Sequence, residues 1–195
     1  MSISAIILAG GQANRMGGAG KGLVPLLNKP LVQHVIERLM PQVDEVLINA
    51  NREIERYETF NLQVLKDEHA NFIGPLAGFA LGLKNGKHDY ILTVPCDSPL
   101  LPEDLVGRLM KALTDKEADI AVAKSAGDTH SVFCLMKKTV LPSLLEYIDQ
   151  GERRVSTWQK SHQYIEVEFN DVSEAFVNLN TFEALDALAL KLENA

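Results

Sequence analysis

A short apolar run, Ser4-Ala-Ile-Ile-Leu8, stops at Ala-Gly-Gly11 and gives way to a glycine-rich stretch carrying Arg15 and, six residues later, Lys21. β-Branched residues favour a strand, and glycine lets bare backbone N–H groups come close to a ligand. A strand that ends in such a loop is a natural founding element of a nucleotide site. Loop amides meet phosphate oxygens, and the two cations balance the triphosphate charge.

Apolar runs and helical patterns alternate through most of the remaining chain. Runs at residues 4–8, 45–49, 63–66, 90–94, 119–123, 131–135 and 164–169 predict strands, and patterns at 31–40, 76–83, 103–112, 139–147 and 181–192 predict helices. Pro30, Pro75 and Pro102 sit at or just before helix starts, where a missing N–H costs little. The last helix is expected to open on Asn180 as its N-cap, with Glu183 completing a capping box. Leu185, Leu188 and Leu192 then recur at helical spacing. Strands separated by helices predict an α/β fold, a Rossmann-like three-layer sandwich with a mostly parallel sheet. The run at 131–135 follows 119–123 after only a polar turn, so an antiparallel pair and a mixed sheet are expected there.

With 195 residues and no linker or repeat, the chain reads as one domain over residues 1–195, long enough to bury a core. A formal charge of −7 argues against nucleic acid as the main partner. It does not exclude a nucleotide met by local cations such as Arg15 and Lys21. The two cysteines, Cys96 and Cys134, lie far apart and form no C-x-x-C pair, so two buried reduced thiols are expected rather than a zinc site or a disulfide framework. The apolar run at 5–9 is too short for a membrane span and has no basic leader, which predicts a cytoplasmic protein with no membrane partner.

The two commonest phosphate loops do not fit the spacing. A Walker A loop needs glycine where Arg15 stands and Ser or Thr where Gly22 stands. A dinucleotide fingerprint needs G-x-G-x-x-G entering a helix, whereas Gly18-Ala-Gly20-Lys-Gly22 leads into Leu23-Val-Pro-Leu-Leu27. Further on, Tyr90-Ile-Leu-Thr-Val-Pro-Cys-Asp97 reads as a buried strand that stops at a carboxylate, where open α/β sheets bind ligands. Asp97 is therefore a candidate Mg²⁺ ligand, since magnesium needs only one or two protein carboxylates beside phosphates and water. Organising its own turn is the alternative role for this aspartate. Asp67 follows the run at 63–66 in the same way, with Glu68 and an ordinary solvated turn as rivals. Ser98 lacks a nucleophile-elbow setting and is assigned no catalysis.

The pattern Leu-Ala-Gly-Gly-x-x-x-Arg-Met-Gly-x-x-x-Lys resembles the signature of pyrophosphorylase-type nucleotidyltransferases. Together with Asn49-Ala-Asn-Arg52, Gly74-Pro-Leu-Ala-Gly78, Pro95-Cys-Asp-Ser-Pro99, Gly151-Glu-Arg-Arg154 and Ala175-Phe-Val-Asn-Leu-Asn-Thr181, it resembles the bacterial molybdenum cofactor guanylyltransferases over nearly the whole chain. The resemblance implies transfer of GMP from GTP to the terminal phosphate of molybdopterin, with Mg²⁺ as cofactor and pyrophosphate as leaving group. It also implies roles. Leu8, Ala9, Gly10 and Asn49 would hold guanine and its ribose, and Lys21 the triphosphate. Arg15 and Gly11 would complete the phosphate cradle. Asp67 would contact the nucleotide, Asp97 the nucleotide and Mg²⁺, and Gly78 would let the backbone approach the base or the pterin. Arg153, Arg154, Asn178 and Asn180 would lie toward molybdopterin, with cap duty for Asn180 and solvated surface for one arginine as the alternatives. Cofactor-delivery proteins or molybdoenzymes would be the protein partners.

Two positions depart from the family pattern. Gly20 stands before Lys21 where an aspartate is expected, and His130-Ser-Val replaces His-Pro-Thr. For His130 both acceptor contact and plain surface stay open. The competing functions are a molybdopterin cytidylyltransferase and a non-catalytic chaperone that binds nucleotide or molybdopterin.

Overall fold

The computed structural model describes residues 1–11, 20–67, 74–177, 179 and 181–194. At its centre lies β1 (Ile3–Leu8), whose side chains alternate between two helical layers. Ile3, Ala5 and Ile7 join the cluster formed with α1 (Leu31–Leu39) and α4 (Leu105–Asp115), while Ile6 turns to the opposite face and packs with Leu81 of α3 (Pro75–Asn85). That second face continues under α5 (Leu141–Asp149) and α6 (Val155–Gln159), around Phe79, Leu144 and Trp158. Burial on both faces accounts for the nearly continuous apolar strands, as parallel sheets require.

Around β1 stand β4 (Glu45–Asn49), β5 (Gln63–Leu65), β6 (Tyr90–Pro95), β7 (Ile120–Ser125), β8 (Asp128–Lys137) and β9 (Tyr164–Glu168), in the order β5-β4-β1-β6-β8-β7-β9. Every pairing is parallel except those of β8, which runs against both β6 and β7. The β7–β8 hairpin turns through Ala126 and Gly127, both at positive φ. The expected mixed sheet and three-layer α/β architecture are therefore present. Among the described residues no helix is long and apolar enough to cross a membrane. Cys96 and Cys134 are both free and buried.

Three features differ from expectation. A small hairpin, β2 (Pro25–Leu26) and β3 (Lys29–Pro30), turns through Leu27 and Asn28 at positive φ and packs with α7 (Phe182–Glu193) through Leu26, Leu31, Leu179 and Leu185. Two five-residue helices, α2 (Ile54–Glu58) and α6, are too short to show a helical period in sequence. At the start of α7 the cap is Thr181, not Asn180: the Ala184 N–H donates to Thr181 Oγ1 at 3.2 Å. The cap is the extended residue whose oxygen reaches the third helical N–H, so Glu183 falls one position short of a capping box. Its charge still favours the helix N-terminus.

Topology positions the site. From β1 the chain builds outward through β4 to β5, then returns to β6 on the other side of β1. The switch point between β1 and β6 leaves a crevice beyond their carboxyl ends. Register sharpens this, because Leu8 pairs with Asn49 on one side and Pro95 on the other, and Asn49 pairs with Leu65. The residues that follow each strand, among them Gly10, Asn51, Asp67 and Asp97, emerge along one edge of the sheet.

Candidate active site

A cavity of about 250 Å³ opens at this edge, lined by Leu8, Gly10, Gly11, Asn49 and Asp67 together with Gly74, Pro75, Pro95 and Val132. Ala9 ties the floor together, its N–H donating to the Asn49 carbonyl at 2.8 Å. Both oxygens of Asp67 are engaged. Asn49 Nδ2 donates to Oδ1 at 2.8 Å, and Asn51 Nδ2 donates to Oδ2 at 2.7 Å. The Asp67 N–H donates back to Asn51 Oδ1 at 2.9 Å, and Asn51 also reaches the Gly10 carbonyl at 3.2 Å. One carboxylate thus orients two amides across three strand ends. Asn51 belongs to this network although the family resemblance points only to Asn49; the signal was the repeated asparagine in Asn-Ala-Asn-Arg.

Gly78 lies on α3, where the helix crosses the ends of β1 and β4. A Cβ there would stand 2.3 Å from Leu8 Cδ2 and 2.9 Å from Asn49 Oδ1. The glycine is thus a requirement of helix-on-strand packing in addition to any role toward a ligand. We expect Gly78→Ala to cost about 1–3 kcal/mol through overpacking. Thermal unfolding should show a drop of a few degrees, and an unchanged midpoint would refute the steric argument.

Lys21 opens a short 3₁₀ turn, Lys21–Leu23, closed by the Leu23 N–H donating to the Gly20 carbonyl at 2.8 Å. Its ammonium forms an ion pair with Asp97 Oδ2. The Asp97 side chain is only 9% exposed and that of Lys21 25%, so the pair is partly shielded from solvent. A cation and a carboxylate therefore meet at the end of β6, beside the cavity. An incoming polyanion can draw the ammonium toward itself. Cys96 lies behind them; burial, reinforced by the Asp97 carboxylate, pushes its thiol up and keeps it protonated. Ser98 is fully buried, and its hydroxyl has no hydrogen-bond partner among the described residues. That setting offers no exposed nucleophile.

Arg153 Nη1 donates to the Ile148 carbonyl at 3.0 Å and the Glu152 carbonyl at 2.6 Å, at the end of α5. Its neighbour Arg154 is exposed at the start of α6. No described contact joins either arginine to the Asp67 or Asp97 groups. Arg15, Asn178 and Asn180 lie outside the described residues. His130 is more than plain surface: it stacks on Phe176 with ring centroids 4.6 Å apart and shares a 2.7 Å hydrogen bond with Ser125. Burial lowers its pKa.

Among the described residues no three His, Cys, Asp or Glu side chains gather as a ready metal cage. The donor at the strand end, the Asp97 carboxylate, is nonetheless a hard oxygen of the kind that suits magnesium when substrate phosphates and water complete the shell.

The sequence model of the MobA-like NTP transferase domain matches residues 5–164. A molybdenum cofactor guanylyltransferase of Shewanella pealeana is 45% identical over 192 residues, covering 98% of this chain and 96% of the relative. One of the same name from Shewanella putrefaciens is 46% identical over 190 residues, covering 97% of each. Among solved structures, the molybdopterin-guanine dinucleotide biosynthesis protein A of Archaeoglobus fulgidus superposes with a TM-score of 0.81 at 18% identity, over 98% of this chain and all of the other, a likeness of fold.

Proposed function

The chain belongs to the MobA-like NTP transferase family, and from that premise we propose that it joins GMP from GTP to the terminal phosphate of molybdopterin, releasing pyrophosphate and forming molybdopterin guanine dinucleotide. It is a nucleotidyltransferase, and the observation that carries its chemistry is the Lys21–Asp97 pair beside the cavity of Leu8, Asn49 and Asp67.

The acceptor phosphate is already an anionic nucleophile near neutral pH, so the site needs no strong general base. The obstacles are bringing two anions together and stabilising charge on departing pyrophosphate. Positioning and preorganised charge overcome both, as in phosphoryl transfer generally. In this reading GTP lies with its base and ribose against Leu8–Gly10 and Asn49. The Asp67–Asn49–Asn51 network holds that wall rigid, and Lys21 turns to the triphosphate. Arg15 and Gly11 add to the phosphate cradle, and Arg153, Asn178 and Asn180 belong to the molybdopterin side. Asp97 would hold a Mg²⁺ ion, which when bound neutralises phosphate charge and favours departure of the leaving group.

Pyrophosphate release from a mixture of GTP, Mg²⁺ and molybdopterin tests the reading. We expect turnover with GTP and at least tenfold less with CTP at equal concentration. Preference for CTP would make the enzyme a cytidylyltransferase. Nucleotide binding without pyrophosphate release would make it a carrier of nucleotide or molybdopterin.

A further inference from the structure

Helix α2 lies outside the cavity yet grips the segment that delivers Lys21. Its N-cap, Glu53, has a left-handed backbone (φ 51°, ψ 34°), a conformation unfavourable for a residue with a Cβ. The Glu53 carboxylate reaches 33 residues back along the chain: Oε2 accepts the Gly20 N–H, while Oε1 pairs with Arg56 one turn into α2. We propose that Glu53 is a positioning residue, whose hold on the Gly20 amide sets the direction from which Lys21 enters the site. The proposal rests on the reading of Lys21 as the triphosphate cation.

Gly20 is held on both sides, its N–H by Glu53 and its carbonyl by the Leu23 N–H. Lys21 is the next residue, so its backbone leaves a point fixed at two bonds. Tyr57 of α2 backs the same segment: a Cβ at residue 20 would lie 3.2 Å from its hydroxyl, and one at residue 22 would lie 3.0 Å from it. Cys96, one residue before Asp97, also lies against Gly22, its Cβ 3.0 Å from the same imagined Cβ. The 3₁₀ turn therefore packs against both α2 and the end of β6, with the ammonium directed at Asp97. The Gly20 amide holds the Glu53 carboxyl below the usual carboxylate range, with the Arg56 guanidinium assisting, so the clamp is charged at neutral pH. Tyr57, 1% exposed, anchors α2 in the core through its ring, so α2 does not depend on Glu53 for its place.

Calorimetric titration of GTP and of GMP into wild type, Glu53→Ala and Glu53→Gln tests the assignment. Loosening Lys21 should affect the ligand with the β- and γ-phosphates. Glu53→Ala is expected to weaken GTP about tenfold, the effect of one charge-assisted contact. GMP affinity should stay within about twofold, and Glu53→Gln, which keeps an acceptor oxygen, should recover most of the loss. Gly20→Ala supplies an independent variant. Its φ of −55° accepts a Cβ, but that Cβ would sit 2.9 Å from Glu53 Oε2 and displace the carboxylate, so the same selective loss of GTP is expected. Unchanged or tighter GTP binding by Glu53→Ala would overturn the proposal, as would equal weakening of GTP and GMP, the mark of a merely structural role. A wild-type protein that binds no GTP would remove the reading of Lys21 itself, and the role of Glu53 with it.

Discussion

Lys21→Ala is expected to lower kcat about a hundred- to a thousandfold, the usual consequence of removing one preorganised charge from a developing anion. The ammonium is paired, just past the carboxyl end of β6, with a carboxylate that is only 9% exposed. Truncation would remove the cation proposed for the triphosphate and would also leave Asp97 without this partner. The pair lies between a solvated ion pair and a buried one, so a stability loss of about 1–3 kcal/mol should accompany the kinetic defect. A chain of this size would then melt several degrees lower while remaining folded at assay temperature. Steady-state kinetics and a thermal melt on the same preparation separate the two effects. Turnover equal to wild type would remove Lys21 from the mechanism.

Asp97→Asn should be comparably damaging for a different reason. The amide fits the carboxylate's space but offers a weaker, neutral oxygen to a divalent cation, and it no longer counters the Lys21 ammonium. We expect kcat to fall about a hundredfold or more and the Mg²⁺ response of the residual activity to flatten. A magnesium titration identical to wild type would count against Asp97 as a ligand. The double variant Lys21→Ala with Asp97→Asn is the sharper measurement. Two residues in direct contact should show a combined defect smaller than the product of the single ones, because each loss already dismantles the pair. Multiplicative losses would mean that they act separately.

Much of this site could be read from local pattern. The run through Leu8, the strand ending at Asn49 and the strand stopping before Asp97 were legible from β-branched, apolar composition bounded by polar or glycine residues, and all three lie where expected. The features without a local signature are short or relational. Helices α2 and α6, with five residues each, span little more than one turn and leave no period to detect. The β2–β3 turn uses Leu27 and Asn28 rather than an Asn-Gly pair, so it carries no strong hairpin signal. Thr181 and Asn180 are both acceptable caps by type, and helix phase chose between them. Asn51 and Glu53 look like ordinary polar residues after a strand until Asp67 and Gly20 are brought to them.

Element type and the α/β layering follow from the chain's own order, as does the expectation of a phosphate loop over residues 8–21, because propensity, capping and burial period act between near neighbours. The pairing of Lys21 with Asp97, 76 residues apart, does not. Nor do the Asp67 network or the Glu53 hold on Gly20. Those contacts depend on which strand lies beside which and in what register. The return of the chain from β5 to the far side of β1 set that arrangement, and it gathered groups separated in sequence at one edge of the sheet.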